Sequence, residues 1–169
     1  DSYGLADFAL GPGSLSEDAR GRWYLNVSVK IKAPAQPSHS AESVIDGSVP
    51  AIGIDLGLKE LMAASNGFKV RAEQFYRDLE PALALAQRAG KKDRTRSIHA
   101  KIANRRKDQL HKLSNTLVRQ NAAIFVGDVK ASSLVKTRMS KSVYDAGWSA
   151  FRTMLRYKCD DAGAWFLEV

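Results

Sequence analysis

The segment Gly53-Ile54-Asp55-Leu56-Gly57 sets one carboxylate between two glycines at the end of a short apolar run. An acid at the end of a buried strand, with no side chain on either flanking glycine, lets a phosphate or a metal ion come close to the backbone. Two chemistries use such an element: metal-assisted hydrolysis of a phosphodiester, and the phosphate loop of ATPases of the actin and sugar-kinase type. A structural turn is the plain third reading. Hydrolysis by two magnesium ions needs about three or four carboxylates converging on ions roughly 3.5–4 Å apart. Asp55 supplies one. Asp128, at the end of a second apolar run over 123–129, is the next candidate, because parallel neighbouring strands end at the same sheet edge. Alternation puts Asp128 on the face of Ile124 and Val126 and Gly127 on the opposite one, so the spacing leaves open which of the two meets Asp55. Glu168 is a weaker candidate whose plain reading is an edge-strand charge, and Glu60 and Asp145 read as solvated. No adenosine motif accompanies Asp55, and the ATPase reading leaves the chain's basic helix without a purpose, which disfavours it.

The cations say what such a site would act on. The chain of 169 residues carries 26 Lys and Arg against 18 Asp and Glu, a net charge of +8. Between Arg88 and Arg119 stand eleven basic residues and only two acids, Asp93 and Asp108. So large an excess on one element repels itself unless an anion lies nearby, and phosphate is the natural counter-charge. Lys101, Arg105 and Lys112 share one exposed helical stripe, whereas Arg106 falls on the apolar line. Lys136, Arg138 and Lys141 form a second basic group before the last helix, and Lys59 follows the aspartate motif. His99 and His111 lie twelve apart, outside metal-ligand helical spacing. The single cysteine, Cys159, rules out an internal disulfide and a cysteine-cluster zinc site, and fits a reducing cytosol. No apolar run is long enough for a membrane span and the start has no signal-peptide pattern, so the expected location is cytoplasmic, with no membrane partner. Asp1 stands where an initiator methionine would, so a fragment or a processed product is expected.

These residues need elements to hold them. Residues 20–32 alternate, with Trp23, Leu25, Val27, Val29 and Ile31 on one face, and read as a half-buried strand whose hairpin partner is Leu5–Leu10 or Ser14–Ser16. Residues 33–49 are rich in Pro and Ser without periodicity and read as a linker. From Pro50 the pattern is mixed: a strand ending in Asp55, a strand over 60–65, the favoured turn Asn66-Gly67 and a return over 68–71. A helix over 73–89, kinked or interrupted by Pro81, precedes a longer one over 95–121 with Ile98, Ile102, Arg106, Leu110, Leu113 and Leu117 at steps of three and four. A strand over 123–129, a helix over 141–161 and a strand over 164–169 complete the chain. In that last helix Val143, Ala150, Met154 and Tyr157 share one face, widened by Trp148, Phe151, Leu155 and Cys159, with both Trp148 and Cys159 expected in the core. The order β-β-β-α-α-β-α-β is the plan of a ribonuclease H-like α/β fold, a mixed sheet with flanking helices.

Gly53-Ile54-Asp55-Leu56-Gly57-Leu58-Lys59, the stretch His99-Ala100-Lys101-Ile102-Ala103-Asn104-Arg105-Arg106-Lys107-Asp108, Val126-Gly127-Asp128-Val129 and Lys136-Thr137-Arg138-Met139 together resemble the TnpB family, the OrfB proteins of bacterial insertion sequences. The resemblance implies an RNA-guided DNA endonuclease of transposons, with DNA and guide RNA as partners and magnesium as cofactor. It implies residues 1–32 as the end of an oligonucleotide-binding β-barrel, 33–49 as linker and 50–169 as an incomplete RuvC-like nuclease domain. Asp55 and Asp128 would be catalytic and hold metal; Lys59, Lys101, Arg105, Lys112, Lys136, Arg138 and Lys141 would grip nucleic acid. In the family a glutamate directly precedes the aspartate of the fourth strand, where this chain has Gly127, and the third carboxylate follows a zinc ribbon beyond position 169. The alternative is a nuclease-dead relative that binds nucleic acid as a repressor or remnant.

Overall fold

The computed structural model describes residues 8–18, 20–30, 37–127 and 147–169. Strands β1 (Ala9–Glu17) and β2 (Trp23–Lys30) pair antiparallel from Ala9↔Lys30 to Glu17↔Trp23, with a register shift between Leu10 and Gly13. Asp18 closes the turn: its carboxylate accepts the backbone N–H groups of Arg20 (2.8 Å) and Arg22 (3.0 Å), the Arg22 Nε–H (2.6 Å) and the Tyr24 hydroxyl (3.2 Å). These hydrogen bonds and the Arg22 charge hold the Asp18 carboxyl well below the ordinary carboxylate range. The strand expected to be half buried is instead exposed along its whole length, with Trp23 at 68% and Leu25 at 71%. Among the described residues no second layer covers this two-stranded hairpin.

The segment read as a linker contains a short helix, α1 (Ala41–Ile45), whose N-cap Ser40 accepts the Ser43 N–H at 3.2 Å. It is also tied down, since Ser38 N–H donates to the Gly163 carbonyl (2.7 Å) and the Trp165 indole N–H to the His39 carbonyl (2.8 Å).

The main sheet comprises β3 (Ala51–Leu56), β4 (Glu60–Ala64), β5 (Lys69–Arg71), β6 (Ala123–Val126) and β7 (Trp165–Glu168), in the order β5-β4-β3-β6-β7. β3, β4 and β5 form an antiparallel meander, turned at Gly67 with φ +86°, while β6 lies parallel to β3 and β7 parallel to β6. One sheet face is core: Ile52, Ile54, Leu56, Met62, Ile124 and Val126 pack under α3 (Lys92–Gln120) and α4 (Trp148–Ala162). The 29 residues of α3 extend about 44 Å and serve two cores. Its C-terminal half places Leu110, Leu113 and Leu117 on the sheet side; its N-terminal half sets Ile98 and Ile102 against Leu83 and Ala86 of α2 (Phe75–Arg88). α2 runs through Pro81 without ending there. Packing of Leu79, Leu83 and Ala86 on α3 outweighs the roughly 3 kcal/mol that an interior proline costs.

The buried face of α4 is Trp148, Phe151, Met154, Leu155 and Cys159; Ala150 and Tyr157, expected on it, are exposed. The wider apolar arc won over the narrower one. Trp148 and Cys159 are core as expected, and burial pushes the Cys159 thiol up to about 11. Gly163, at φ +66°, ends α4 in the left-handed conformation that suits a helix C-terminus. The expected strand over 123–129 is seen over Ala123–Val126. Among the described residues no helix is long and apolar enough to cross a membrane.

Candidate nucleic-acid interface and strand-edge carboxylate

The parallel register of β3 and β6 settles which neighbour faces Asp55. Ile54 stands beside Val126, so the next position along, Asp55, stands beside Gly127, whose N–H donates to the Ile54 carbonyl at 2.9 Å. A Cβ built on Gly127 would lie 3.7 Å from Asp55 Oδ1. The side chain of any residue at 127 would therefore stand beside the aspartate, and glycine puts nothing there. Asp55 itself is exposed, on the sheet face opposite the core. Of the two glycines around it, Gly57 serves the turn and not an incoming ligand, because a Cβ there would lie 2.9 Å from the Glu60 carbonyl oxygen. Gly53 donates its N–H to Ser65 Oγ (3.1 Å) and would meet only ordinary contact with a Cβ.

Two of the other acidic candidates, Glu168 and Glu60, are held by cations. Glu168 pairs in register with Val126 and ion-pairs with Arg152 (3.4 Å) and Arg156 of α4, as its plain reading had it. Glu60 pairs with Lys69 at 3.5 Å. Asp128, Asp145, Lys136, Arg138 and Lys141 lie outside the described residues. Among the described residues no three His, Cys, Asp or Glu side chains gather where a metal ion could be held. A magnesium ion is held by near-octahedral oxygen ligands, one or two of them carboxylates. Glu60 and Glu168 reach the same sheet edge as Asp55 but are ion-paired to Lys69 and to Arg152 and Arg156, so the described residues do not by themselves fit a two-ion site.

The basic face of α3 is as the periodicity predicts. Lys101, Arg105 and Lys112 are exposed, and Arg106 is half buried, its aliphatic stem close to Gly147. Lys112 is partly neutralised by Asp108 at 2.7 Å, one helical turn away. His99 is exposed, while burial and the nearby cations Lys158 and Lys107 pull His111 below the ordinary histidine range. Sequence reasoning passed over Lys158, whose Nζ donates across from α4 to Ser114 Oγ (2.7 Å) and the His111 carbonyl (3.0 Å) and so pins α4 to α3. The signal available was Ser114, a hydroxyl inside the apolar line of α3.

The fold and site define an α/β protein with an exposed carboxylate at the edge of a five-stranded mixed sheet and a long cationic helix packed on the sheet's core face. The family model for OrfB of IS605, described as "Probable transposase", matches residues 46–138, more than half of the chain, and the chain belongs to that family. A protein of Streptomyces pristinaespiralis named "Putative RNA-guided DNA endonuclease" is 32% identical over 166 residues, covering 90% of this chain and 38% of the relative. The Escherichia coli K12 protein named "Putative RNA-guided DNA endonuclease InsQ" is 24% identical over 168 residues, covering 82% of this chain and 39% of its own. The chain thus spans about two fifths of the length of these curated relatives. Among solved structures, a chain of the Cas12f1-sgRNA-target DNA complex is similar with a TM-score of 0.47 at 14% identity, covering 87% of this chain and 39% of that one.

Proposed function

We propose that this chain is the sheet-and-helix portion of a transposon-associated RNA-guided DNA endonuclease, and that the exposed cations of α3 grip the phosphates of a guide RNA–target DNA duplex. The observation that carries the reading is α3 itself, which buries its apolar line and turns Lys101 and Arg105 to solvent with no acidic partner among the described residues. Contacts of this kind read backbone and shape and leave sequence to base pairing. The names of the two relatives support the partners, and the sheet order supports a ribonuclease H-like plan, RuvC-like in function. On this reading residues 50–169 belong to the nuclease unit, 33–49 connect, and the hairpin within 1–32 is the end of an oligonucleotide-binding barrel. Lys59, Lys112, Lys136, Arg138 and Lys141 add to the grip, Asp55 and Asp128 are the catalytic carboxylates, and magnesium is the ion, completed by ligands outside the described residues.

The test is cleavage of guide-matched DNA with Mg²⁺ by a version extended to the relatives' length. Cutting lost on Asp55→Ala, with duplex binding kept, supports the reading. Gly127 beside Asp55 is the one observation that speaks for a nuclease-dead binding relative, and tight binding without any cutting would select it.

A further inference from the structure

The β4–β5 hairpin carries a second cationic surface that the α3 argument does not use. Asp55 is opposite Ala63 in β4, and Ala63 is opposite Lys69 in β5. Directly paired residues of antiparallel strands project to the same face, so Lys69 stands two strands from Asp55 on the face away from the core, about 10 Å across. Arg71, two residues on, shares that face, and the Lys69–Glu60 ion pair confirms the side on which these groups meet. Lys59, Glu60, Lys69, Arg71 and Gln74 line a concavity of about 340 Å³. Its walls are joined by the Ala72 N–H donating to the Lys59 carbonyl at 3.3 Å. Three cations face one carboxylate there. Lys59 and Arg71 make no ion pair among the described residues, and the Lys69–Glu60 pair, 3.5 Å long with side chains 60% and 38% exposed, is of the kind worth little in water.

We infer that this groove binds the phosphodiester backbone of a DNA single strand and leads it along the sheet toward Asp55. The proposal rests on the reading of the chain as a piece of a DNA-handling nuclease and adds the strand-guiding surface. Charge complementarity selects the ligand: an open, polar, net positive trough without an aromatic platform suits backbone phosphates and not bases. Lys69 and Arg71, two residues apart on β5, stand about 7 Å from each other and line one groove with Lys59, so the three cations can meet separate phosphates.

The test is the salt dependence of binding of a short mixed-sequence single-stranded DNA, measured by fluorescence anisotropy on the chain and on Lys59→Gln/Lys69→Gln/Arg71→Gln. Each phosphate contact contributes about 0.7 to the slope of log K against log salt for a single strand, so the triple variant is expected to flatten it by about 2. The charge-keeping set Lys59→Arg/Lys69→Arg/Arg71→Lys should retain the slope. If the triple variant does not fold, Arg71→Gln alone should remove about 0.7. An unchanged slope in the neutral variants, beside salt-dependent binding by the parent chain, overturns the groove and leaves the α3 reading standing. Loss of slope on RNA of equal length but not on DNA also overturns it. A parent chain that binds no nucleic acid overturns both.

Discussion

The β1–β2 hairpin and the central sheet share one sequence pattern and meet opposite fates. In β2, Trp23, Leu25, Val27 and Val29 alternate with polar residues as regularly as any strand of the chain, yet all are exposed. In β3 the same alternation buries Ile52, Ile54 and Leu56 to 4% or less and turns Asp55 outward. What separates them is a second layer. α3 and α4 supply Leu113, Leu117, Phe151 and Leu155 over β3 and β6, whereas among the described residues no such layer covers the hairpin, which is held by its ladder, its Asp18 turn and the Asn26–Ser16 and Ser28–Pro12 hydrogen bonds. Alternation specifies a face; burial depends on what comes to cover it.

The comparison can be broken most forcefully by truncation. Phe151→Ala should cost about 3–5 kcal/mol, and Trp23→Ala, of comparable bulk, about 0.5 kcal/mol or less, both read by urea unfolding of the chain. Equal losses would mean that the hairpin face is covered in solution. Next in size, Lys158→Ala leaves Ser114 Oγ and the His111 carbonyl without their cross-helix donor and should cost about 1–3 kcal/mol, visible in the same unfolding curve. Gly163→Ala forces a side chain into φ +66° and should cost about 1–2 kcal/mol, lowering the midpoint without altering its denaturant dependence. Cys159 sharpens the contrast without mutation. Buried and with its thiol pushed up to about 11, it should resist alkylation at neutral pH until the α4 core opens.

The smallest effect concerns pH. His111 titrates below the ordinary histidine range in the fold, so the unfolded chain binds its proton more readily as pH falls. Its contribution is complete above the ordinary value of 6.5 and is lost as pH drops through the lower folded one. Stability should therefore decline gently below neutrality, and His111→Gln should flatten that decline.

Much of this architecture was legible from spacing. The three-and-four steps of α3 identified Ile98, Ile102, Leu110, Leu113 and Leu117 as buried and Lys101, Arg105 and Lys112 as exposed, because a helix repeats every 3.6 residues. Asn66-Gly67 marked its hairpin since glycine suits the positive φ found there. Less local facts escaped. Nothing in residues 33–49 announces that Ser38 and His39 dock onto Gly163 and Trp165, more than a hundred positions away. The phase of α4 was misread at Ala150 and Tyr157 because its two apolar arcs overlap and only the sheet decides between them. At the candidate site, one sequence located Asp55 but not its neighbour. The register that sets Gly127 beside it, and Lys69 two strands away on the same face, exists only once the strands pair.

The central claim is that the outer face of α3 is a grip for duplex phosphates. It is tested most directly by the salt dependence of binding of a mixed-sequence RNA–DNA hybrid to the chain and to Lys101→Gln/Arg105→Gln. A steep slope of several units, reduced by about 2 when both cations are removed at roughly 0.9 per contact, is the expected result. A flat slope, or one that the double substitution leaves unchanged, would contradict it.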